Sequence, residues 1–285
     1  MLRTRLWMGA VLILLVVGML VFDRHFGTWY PFLFAFVLGL ALAAGFELLH
    51  LLPPAQRPYP ALTYALVVGL IVTNWIVHLP FLPPTVPPDP WRWLWFAFGA
   101  AVLVVFLVEM ATFQEPGNSV MRMALTVWAV GYLAVLPSFF AQLRWLPAGV
   151  EQGTVALALA IFVPKGCDIG AYTAGRLFGR HRMTPVLSPK KTWEGAAGGL
   201  VLASAIAVGI DQLTAAPVLQ RDWLREIGFG LSVGIAGMLG DLAESLIKRD
   251  CRQKDASQAV PGFGGVLDVV DSVVFAAPVV AWWLW

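Results

Sequence analysis

The chain of 285 residues is 59% hydrophobic and 13% charged, and its formal net charge is +2 at pH 7. Its mean hydropathy is +0.76, and its many apolar runs of about 20 residues exceed what the core of a soluble domain requires. This composition excludes an ordinary soluble globular protein and indicates a polytopic integral membrane protein. The only two cysteines, Cys167 and Cys251, are far apart in sequence, so we expect free thiols rather than a disulfide.

Apolar runs in chain order predict about nine membrane-spanning helices. Backbone N–H and C=O groups in lipid must form their hydrogen bonds within the protein, as in helices or barrel strands. Apolar runs of this length exclude the strands of a barrel. The predicted spans are residues 6–22, 29–49, 61–77, 91–110, 121–140, 155–178, 194–213, 227–248 and 266–285. The predicted fold class is therefore all-α.

The first five spans carry few polar groups. Residues 6–22 follow two arginines, as in a signal peptide, but the run is too long and lacks a cleavage pattern, so we expect a retained anchor. Glu47, Glu109 and Arg122 are exceptions that we place at an interface, and we expect them to matter little for chemistry. We accordingly divide the chain into an N-terminal membrane region, 1–150, and a C-terminal catalytic region, 151–285.

The basic residues predict the orientation. If all nine segments span the membrane, most basic residues fall on the side of the N-terminus, and positive charge concentrates on the cytosolic side of membrane proteins. That side would hold Arg3, Arg5, Arg57, Arg122, Arg176, Arg180, Arg182, Lys190, Lys191, Lys248, Arg249, Arg252 and Lys254. The other side would hold only Arg24, Arg92, Arg144, Arg221 and Arg225. We expect a cytosolic N-terminus, two cytosolic basic loops and an external C-terminus.

The last two predicted spans contain carboxylates at helical spacing. Asp241, Glu244, Ser245 and Lys248 form one polar stripe, and Asp268 and Asp271 share a face at the start of the last span. Ionisable groups at membrane depth are costly and usually face a protein interior or a water-filled cavity. Aspartates opposite several cations across a short loop predict a site for metal and phosphate.

The sixth span has a polar stripe of its own. Lys165, Asp168, Tyr172 and Arg176 fall on one face of an otherwise apolar helix. Such a stripe fits a lined pathway or a binding site, and a structural ion pair within a bundle is the alternative.

The loop after the sixth span is basic. Ser188 and Pro189 predict a helix N-cap followed by the first helical residue. Lys190 and Lys191 beside a helix N-terminus would suit an anionic ligand, although a loop that contacts anionic lipid headgroups explains them equally well. Gly195 and Gly199 have the spacing of helix packing.

The final loop is rich in glycine. Gly262, Gly264 and Gly265 permit unusual backbone conformations and a close approach to phosphate. A tight turn between two helices explains them equally well.

Three stretches, in order between Asp168 and Ser272, resemble the phosphatidate cytidylyltransferase (CDP-diacylglycerol synthase) family. They read Asp168-x-Gly-Ala-Tyr172-x3-Arg176, then Ser188-Pro-Lys-Lys-Thr-Trp-Glu194-Gly, then Ser245-x2-Lys248-Arg249-x4-Lys254-Asp255 continuing to Pro261-Gly-x-Gly-Gly265-x2-Asp268-x2-Asp271-Ser272. The family usually has His at the position of Phe263 and Arg at that of Val269. Residues before Asp168 match the family only in being hydrophobic.

The resemblance implies that CTP and phosphatidate give CDP-diacylglycerol and pyrophosphate in phospholipid biosynthesis, at a bacterial-type inner membrane with the active site facing the cytosol. It implies Mg²⁺, with or without a second cation, on Asp241, Asp268 and Asp271, and a catalytic set that adds Lys248 and Arg249. The implied substrate-binding residues are Asp168, Tyr172, Arg176, Ser188, Lys190, Lys191, Glu194, Ser245, Lys254, Asp255, Gly262, Gly264 and Gly265. Membrane lipid is an expected partner, nucleic acid is not, and a homodimer stays open.

Two other functions fit the same residues. A CTP-dependent lipid kinase, such as a polyprenol kinase, would use similar basic loops and carboxylates but release CDP instead of pyrophosphate. A transporter of an anionic solute would use the polar stripes as its pathway. The charges gather near one face and no repeat symmetry is evident, which speaks against the transporter.

Overall fold

The computed structural model describes residues 2–79, 89–147, 149–262 and 264–285, so Phe263 lies outside the described residues. The helices are α1 (Leu2–Phe22), α2 (Pro31–Leu51), α3 (Pro60–Ile76), α4 (Pro90–Thr112), α5 (Ser119–Val130), α6 (Leu136–Gln142), α7 (Val150–Phe178), α8 (Trp193–Leu213), α9 (Trp223–Asp250) and α10 (Val266–Leu284). A π-helical segment, Gly131–Val135, joins α5 to α6. Two short strands, β1 (Arg182–Thr184) and β2 (Ser188–Thr192), lie between α7 and α8.

The predicted all-α membrane fold is confirmed. Within the described ranges, seven helical segments are long and apolar enough to cross a membrane, and two shorter apolar helices, Trp7–Phe22 and Pro60–Ile76, accompany them. Each predicted span coincides with one of these segments, with ends that differ by a few residues. The crossing of all nine and the cytosolic N-terminus stay predictions.

Contacts group the residues into two units. The first contains Met1–Gln142 and the loop Asp255–Leu267, and the second contains Leu143–Lys254 and Asp268–Trp285. The predicted division at residue 150 lies close to the first of these boundaries. The glycine-rich loop, however, belongs with the N-terminal residues.

In the first unit, buried polar groups serve the backbone and each other. Asp23 accepts hydrogen bonds from the backbone nitrogens of Phe32 (2.9 Å) and Leu33 (3.1 Å), and thereby satisfies the first turn of α2. On α4, Glu109 accepts a 2.5 Å bond from Arg122 Nη2 of α5, so these two predicted exceptions form an ion pair. Both arrangements hold neighbouring segments together, and the position of Glu109 and Arg122 at a membrane interface stays a prediction.

In the second unit, α7, α8 and α9 approach closely because small residues line their contacts. A Cβ built at Gly170 of α7 would lie 2.7 Å from Gly198 O, and one at Gly199 of α8 would lie 2.8 Å from Cys167 O. Gly234 of α9 similarly faces Ala203. Small residues let backbones come together where lipid offers no hydrophobic driving force. The predicted packing role of Gly199 is therefore confirmed.

The basic segment before α8 is a two-stranded antiparallel hairpin. Arg182 pairs with Thr192 and Thr184 pairs with Ser188. The prediction that Ser188 caps a helix begun by Pro189 is wrong, because Thr192 is the N-cap and accepts a 3.1 Å bond from Gly195 N. Proline is tolerated at the edge of a sheet, where its missing N–H need not break a ladder bond.

Candidate active site

Three carboxylates converge between α9 and α10. Oxygens of Asp241, Glu244 and Asp271 all lie within 4.8 Å of one another. The three-residue spacing on α9 places the first two on one face. Gly240 brings α10 close to that face, since a Cβ there would lie only 2.5 Å from Asp271 O. We call Asp241, Glu244 and Asp271 the carboxylate group.

Three lysines from different elements neutralise part of this charge. Lys191 Nζ of β2 lies 2.8 Å from Asp241 Oδ2. Lys248 Nζ lies 2.6 Å from Glu244 Oε2, four residues earlier on α9. On α7, Lys165 Nζ lies 3.6 Å from Asp271 Oδ1. Each member of the carboxylate group thus has its own ammonium group.

Two more aspartates complete the cluster. Asp168 Oδ2 lies 3.3 Å from Lys165 Nζ and accepts a 3.1 Å hydrogen bond from Ser272 Oγ. Asp268 forms an ion pair with Lys248 and is not a member of the carboxylate group. Its predicted role as a metal ligand stays a prediction, and here its carboxylate contacts the lysine that also contacts Glu244.

The charge and donor atoms of this cluster fit a hard divalent cation. Five carboxylates face three ammonium groups, which leaves two negative charges uncompensated when all are ionised. Glu244 is buried, and its Oε1 atom has no hydrogen-bond partner among the described residues. Carboxylate oxygens are the ligands that Mg²⁺ and Ca²⁺ prefer, and a cation between like charges this close would reduce their repulsion.

The remaining polar residues of α7 lie nearer its C-terminal end. Arg176 Nη1 donates a 3.3 Å bond to Tyr172 Oη, and both side chains are exposed. The stripe predicted on this helix therefore forms two pairs, Lys165 with Asp168 and Tyr172 with Arg176. Of these pairs, the first contacts the carboxylate group, through Lys165 and Asp271.

The hairpin presents its two adjacent lysines differently. Lys190 is exposed, whereas Lys191 is half-buried and bonded to Asp241. Ser188 is half-buried, and its carbonyl accepts a bond from Thr184 Oγ1. Glu194 accepts bonds from the backbone nitrogens of Arg180 (3.1 Å) and His181 (3.2 Å), so its carboxylate supports the turn between α7 and β1.

The predicted residues near the end of α9 are largely open to solvent. Arg249 is exposed and donates to Gln253 O, while Ser245 is half-buried. Lys254 and Asp255 are exposed. Cys167 and Cys251 are free thiols, as predicted, and burial with the nearby Asp250 raises the pKa of the Cys251 thiol.

The glycine-rich loop belongs to the first unit, and its backbone explains its composition. Gly262 and Gly264 have φ values of 86° and 108°, which side chains disfavour. Val260 and Gly264 exchange two backbone hydrogen bonds across the turn. A Cβ at Gly265 would collide with the carboxylate of Glu47. The turn explanation thus accounts for these glycines, and their contact with phosphate stays a prediction.

Sequence reasoning placed Glu244 and Lys165 on polar stripes but left them out of the site. The signal for Glu244 was its spacing from both Asp241 and Lys248, which puts all three on one helix face. Lys165 contacts Asp271 of a helix about one hundred residues later, and nothing in the sequence pattern predicts that contact. Glu47 was set aside as an interface residue, yet its carboxylate accepts three hydrogen bonds.

A cytidylyltransferase family model matches residues 3–285. The chain belongs to the cytidylyltransferase family. Curated relatives named phosphatidate cytidylyltransferase include one from Synechocystis sp., 31% identical over 89% of this chain and 88% of the relative. Another, from Mycobacterium bovis, is 29% identical over 87% and 86% of the two chains. A third, from Pseudomonas aeruginosa, is 33% identical over 72% and 86%.

The family match decides the general class of the protein. It extends over the N-terminal helices, where the motifs gave no resemblance, and it includes every residue of the cluster around the carboxylate group. A cytidylyltransferase is a nucleotidyltransferase, so this membrane protein is an enzyme.

Proposed function

We propose that this enzyme is a phosphatidate cytidylyltransferase that holds a divalent cation on Asp241, Glu244 and Asp271. The observation that carries the proposal is the carboxylate group itself, in which Glu244 Oε1 has no hydrogen-bond partner among the described residues and each carboxylate contacts a different lysine. The resemblance implies CTP and phosphatidate as the substrates, and the relatives' names include phosphatidate and cytidylyl transfer. A homodimer stays an expectation.

The reaction joins two anions. An oxygen of the phosphatidate phosphate attacks the α-phosphorus of CTP, the bond from that phosphorus to the bridging oxygen of the β-phosphate breaks, and pyrophosphate leaves. When bound, a divalent cation such as Mg²⁺ supplies charge neutralisation and orients the phosphates. The substrate provides the nucleophile, so the protein needs no nucleophilic side chain. Its task is to bring the phosphates together and offset their charge.

The lysines and arginines perform that task. Lys191 and Lys248 already lie on carboxylates of the site, so both are placed where a triphosphate would bring new negative charge. Lys190, Arg176 and Arg249 are exposed, and we assign them to phosphate oxygens, for which arginine offers two parallel donors. Asp268 keeps Lys248 in place, and Asp168 keeps Lys165 beside Asp271.

We place the active site on the cytosolic side of a bacterial-type inner membrane. CTP is a cytosolic nucleotide, and the distribution of lysine and arginine predicts the same side for the hairpin and for the end of α9. The phosphate of a membrane lipid lies at the headgroup level, where these basic segments would meet it.

One assay tests the proposal. Purified protein receives CTP labelled in the cytidine, phosphatidate and Mg²⁺, and the products are separated. CDP-diacylglycerol with stoichiometric pyrophosphate is the expected result, and omission of either phosphatidate or the metal should abolish it. Release of CDP with a phosphorylated lipid would indicate the kinase, and anion flux into vesicles without CTP turnover would indicate the transporter.

A further inference from the structure

Glu47 of α2 is buried, with 3% of its surface exposed, and its carboxylate accepts three hydrogen bonds from the segment before and at the start of α10. Ser257 Oγ donates at 2.5 Å, Val266 N at 2.9 Å and Leu267 N at 2.8 Å. These partners lie more than two hundred residues away in the chain. All belong to the first unit.

This arrangement is a helix cap supplied from a distant helix. The first N–H groups of any α-helix lack partners within it, and a side chain of the preceding residue usually accepts from them. Gly265 precedes α10 and has no side chain, and a Cβ there would collide with the Glu47 carboxylate. The negative charge of Glu47 also lies at the positive end of the helix dipole. Glycine at 265 and glutamate at 47 are therefore structurally linked.

The capped turn leads directly into the two aspartates of α10 that belong to the charged cluster. Val266 and Leu267 are the first two residues of α10, Asp268 follows at once, and Asp271 lies one turn further. The two backbone nitrogens that donate to Glu47 thus belong to the residues immediately before Asp268 in the chain. Through Ser257, Glu47 also holds the start of the glycine-rich loop, since Ser257 Oγ accepts a 3.0 Å bond from Ala259 N.

We propose that Glu47 is a positioning residue for the active site, acting through the first turn of α10. This inference rests on the proposed function, because Asp271 is taken there as a metal ligand. Small displacements of catalytic groups cost about 100-fold in rate. Loss of the cap should therefore weaken metal binding and turnover, whereas a merely structural carboxylate would affect only stability.

Asp211 provides a matched control. It is fully buried on α8 and accepts three backbone hydrogen bonds, from Val218 (2.7 Å), Leu219 (3.0 Å) and Arg221 (3.0 Å). Like Glu47, it is a buried carboxylate that accepts three hydrogen bonds. The loop that it supports, however, lies near the C-terminal end of α8, about 27 Å along the helix from its N-terminus, where the hairpin ends. Its removal should lower stability without affecting the metal.

The experiment compares Glu47→Ala and Asp211→Ala in the purified, full-length protein. Mn²⁺ binding is followed by electron paramagnetic resonance without substrates, and kcat and thermal unfolding are measured on the same samples. Glu47→Ala should raise the Mn²⁺ dissociation constant at least about tenfold and lower kcat about 10- to 100-fold. Asp211→Ala should lower only the unfolding temperature. Glu47→Gln, which keeps one acceptor oxygen, should lie between wild type and Glu47→Ala.

Each remaining outcome has a definite meaning. Wild-type Mn²⁺ affinity and kcat in Glu47→Ala, with only lower stability, would overturn the positioning role, as would equal weakening in Asp211→Ala. If Glu47→Ala cannot be purified, the same comparison is made with Glu47→Gln and Ser257→Ala, and wild-type Mn²⁺ affinity in both would overturn it. Asp271→Asn in the same series tests the proposed function separately. If the wild type is inactive and Asp271→Asn leaves its Mn²⁺ affinity unchanged, the proposed function itself is refuted.

Discussion

Lys191 Nζ lies 2.8 Å from Asp241 Oδ2, so the hairpin places its cation on a carboxylate of the proposed metal site. A divalent cation and this ammonium group would compete for the same charge. We expect Lys191→Gln to tighten Mn²⁺ binding several-fold in the absence of CTP and to raise the KM for CTP. Titration of the purified variant with Mn²⁺, with and without CTP, measures both effects.

Lys190 is the control for that prediction, because it is the neighbouring residue and is exposed. Lys190→Gln should raise the KM for CTP and leave Mn²⁺ affinity unchanged. Equal Mn²⁺ affinities for wild type and Lys191→Gln would show that Lys191 and the metal do not compete.

Glu244 and Asp268 should differ in their effect on the metal. Glu244 belongs to the carboxylate group, and its Oε1 has no hydrogen-bond partner in the described part of the chain, whereas Asp268 binds Lys248. We expect Glu244→Gln to raise the Mg²⁺ concentration for half-maximal activity at least about tenfold. Asp268→Asn should mainly lower kcat, through a displaced lysine. If Asp268→Asn raised the Mg²⁺ concentration for half-maximal activity as much as Glu244→Gln or more, the result would indicate that Asp268 is itself a metal ligand.

The close packing of α7 and α8 predicts a difference between two glycines of the same helix. A Cβ at Gly199 would lie 2.8 Å from Cys167 O, whereas one at Gly209 would meet no atom of the described residues within 4 Å. Gly199→Ala should destabilise the protein by about 1–3 kcal/mol. Gly209→Ala should be neutral or slightly stabilising, since alanine favours helices. Thermal unfolding in detergent compares them, and equal midpoints would contradict the packing.

Cysteine labelling tests the orientation. Val186 in the hairpin is 94% exposed, and Ala215 in the turn after α8 is exposed as well. In a chain lacking Cys167 and Cys251, Val186→Cys should resist an impermeant thiol reagent in intact cells and react after permeabilisation. Ala215→Cys should react from outside. The reverse pattern would overturn the cytosolic placement.

The membrane helices were predictable because hydropathy alone specifies them. Runs of apolar residues gave each helix to within a few residues, and small-residue spacing gave the contact at Gly199. The hairpin was missed because Ser188-Pro189 is a local helix-start pattern, and the competing cap at Thr192 depends on how the chain turns. Local patterns determine helices better than they determine the ends of helices.

The site was predictable only in part, for a related reason. Helical spacing brings Asp241 and Glu244 to one face, but which aspartate of α10 joins them depends on how the two helices meet. In the structure, Asp271 lies in the carboxylate group and Asp268 forms an ion pair with Lys248. The contact of Glu47 with the start of α10 joins residues that are far apart in the chain, and helical or strand spacing cannot predict such a contact.

The central claim is that Asp241, Glu244 and Asp271 hold the divalent cation for cytidylyl transfer, and Asp271→Asn tests it most directly. The change keeps the shape of the side chain and removes one charge. The rate of CDP-diacylglycerol formation from labelled CTP is measured at saturating Mg²⁺, with Glu109→Gln, a buried carboxylate of the other unit, as the control. We predict a loss of at least about 100-fold in Asp271→Asn with unchanged folding, and near-normal rates in Glu109→Gln. Near-normal turnover in Asp271→Asn would contradict the account.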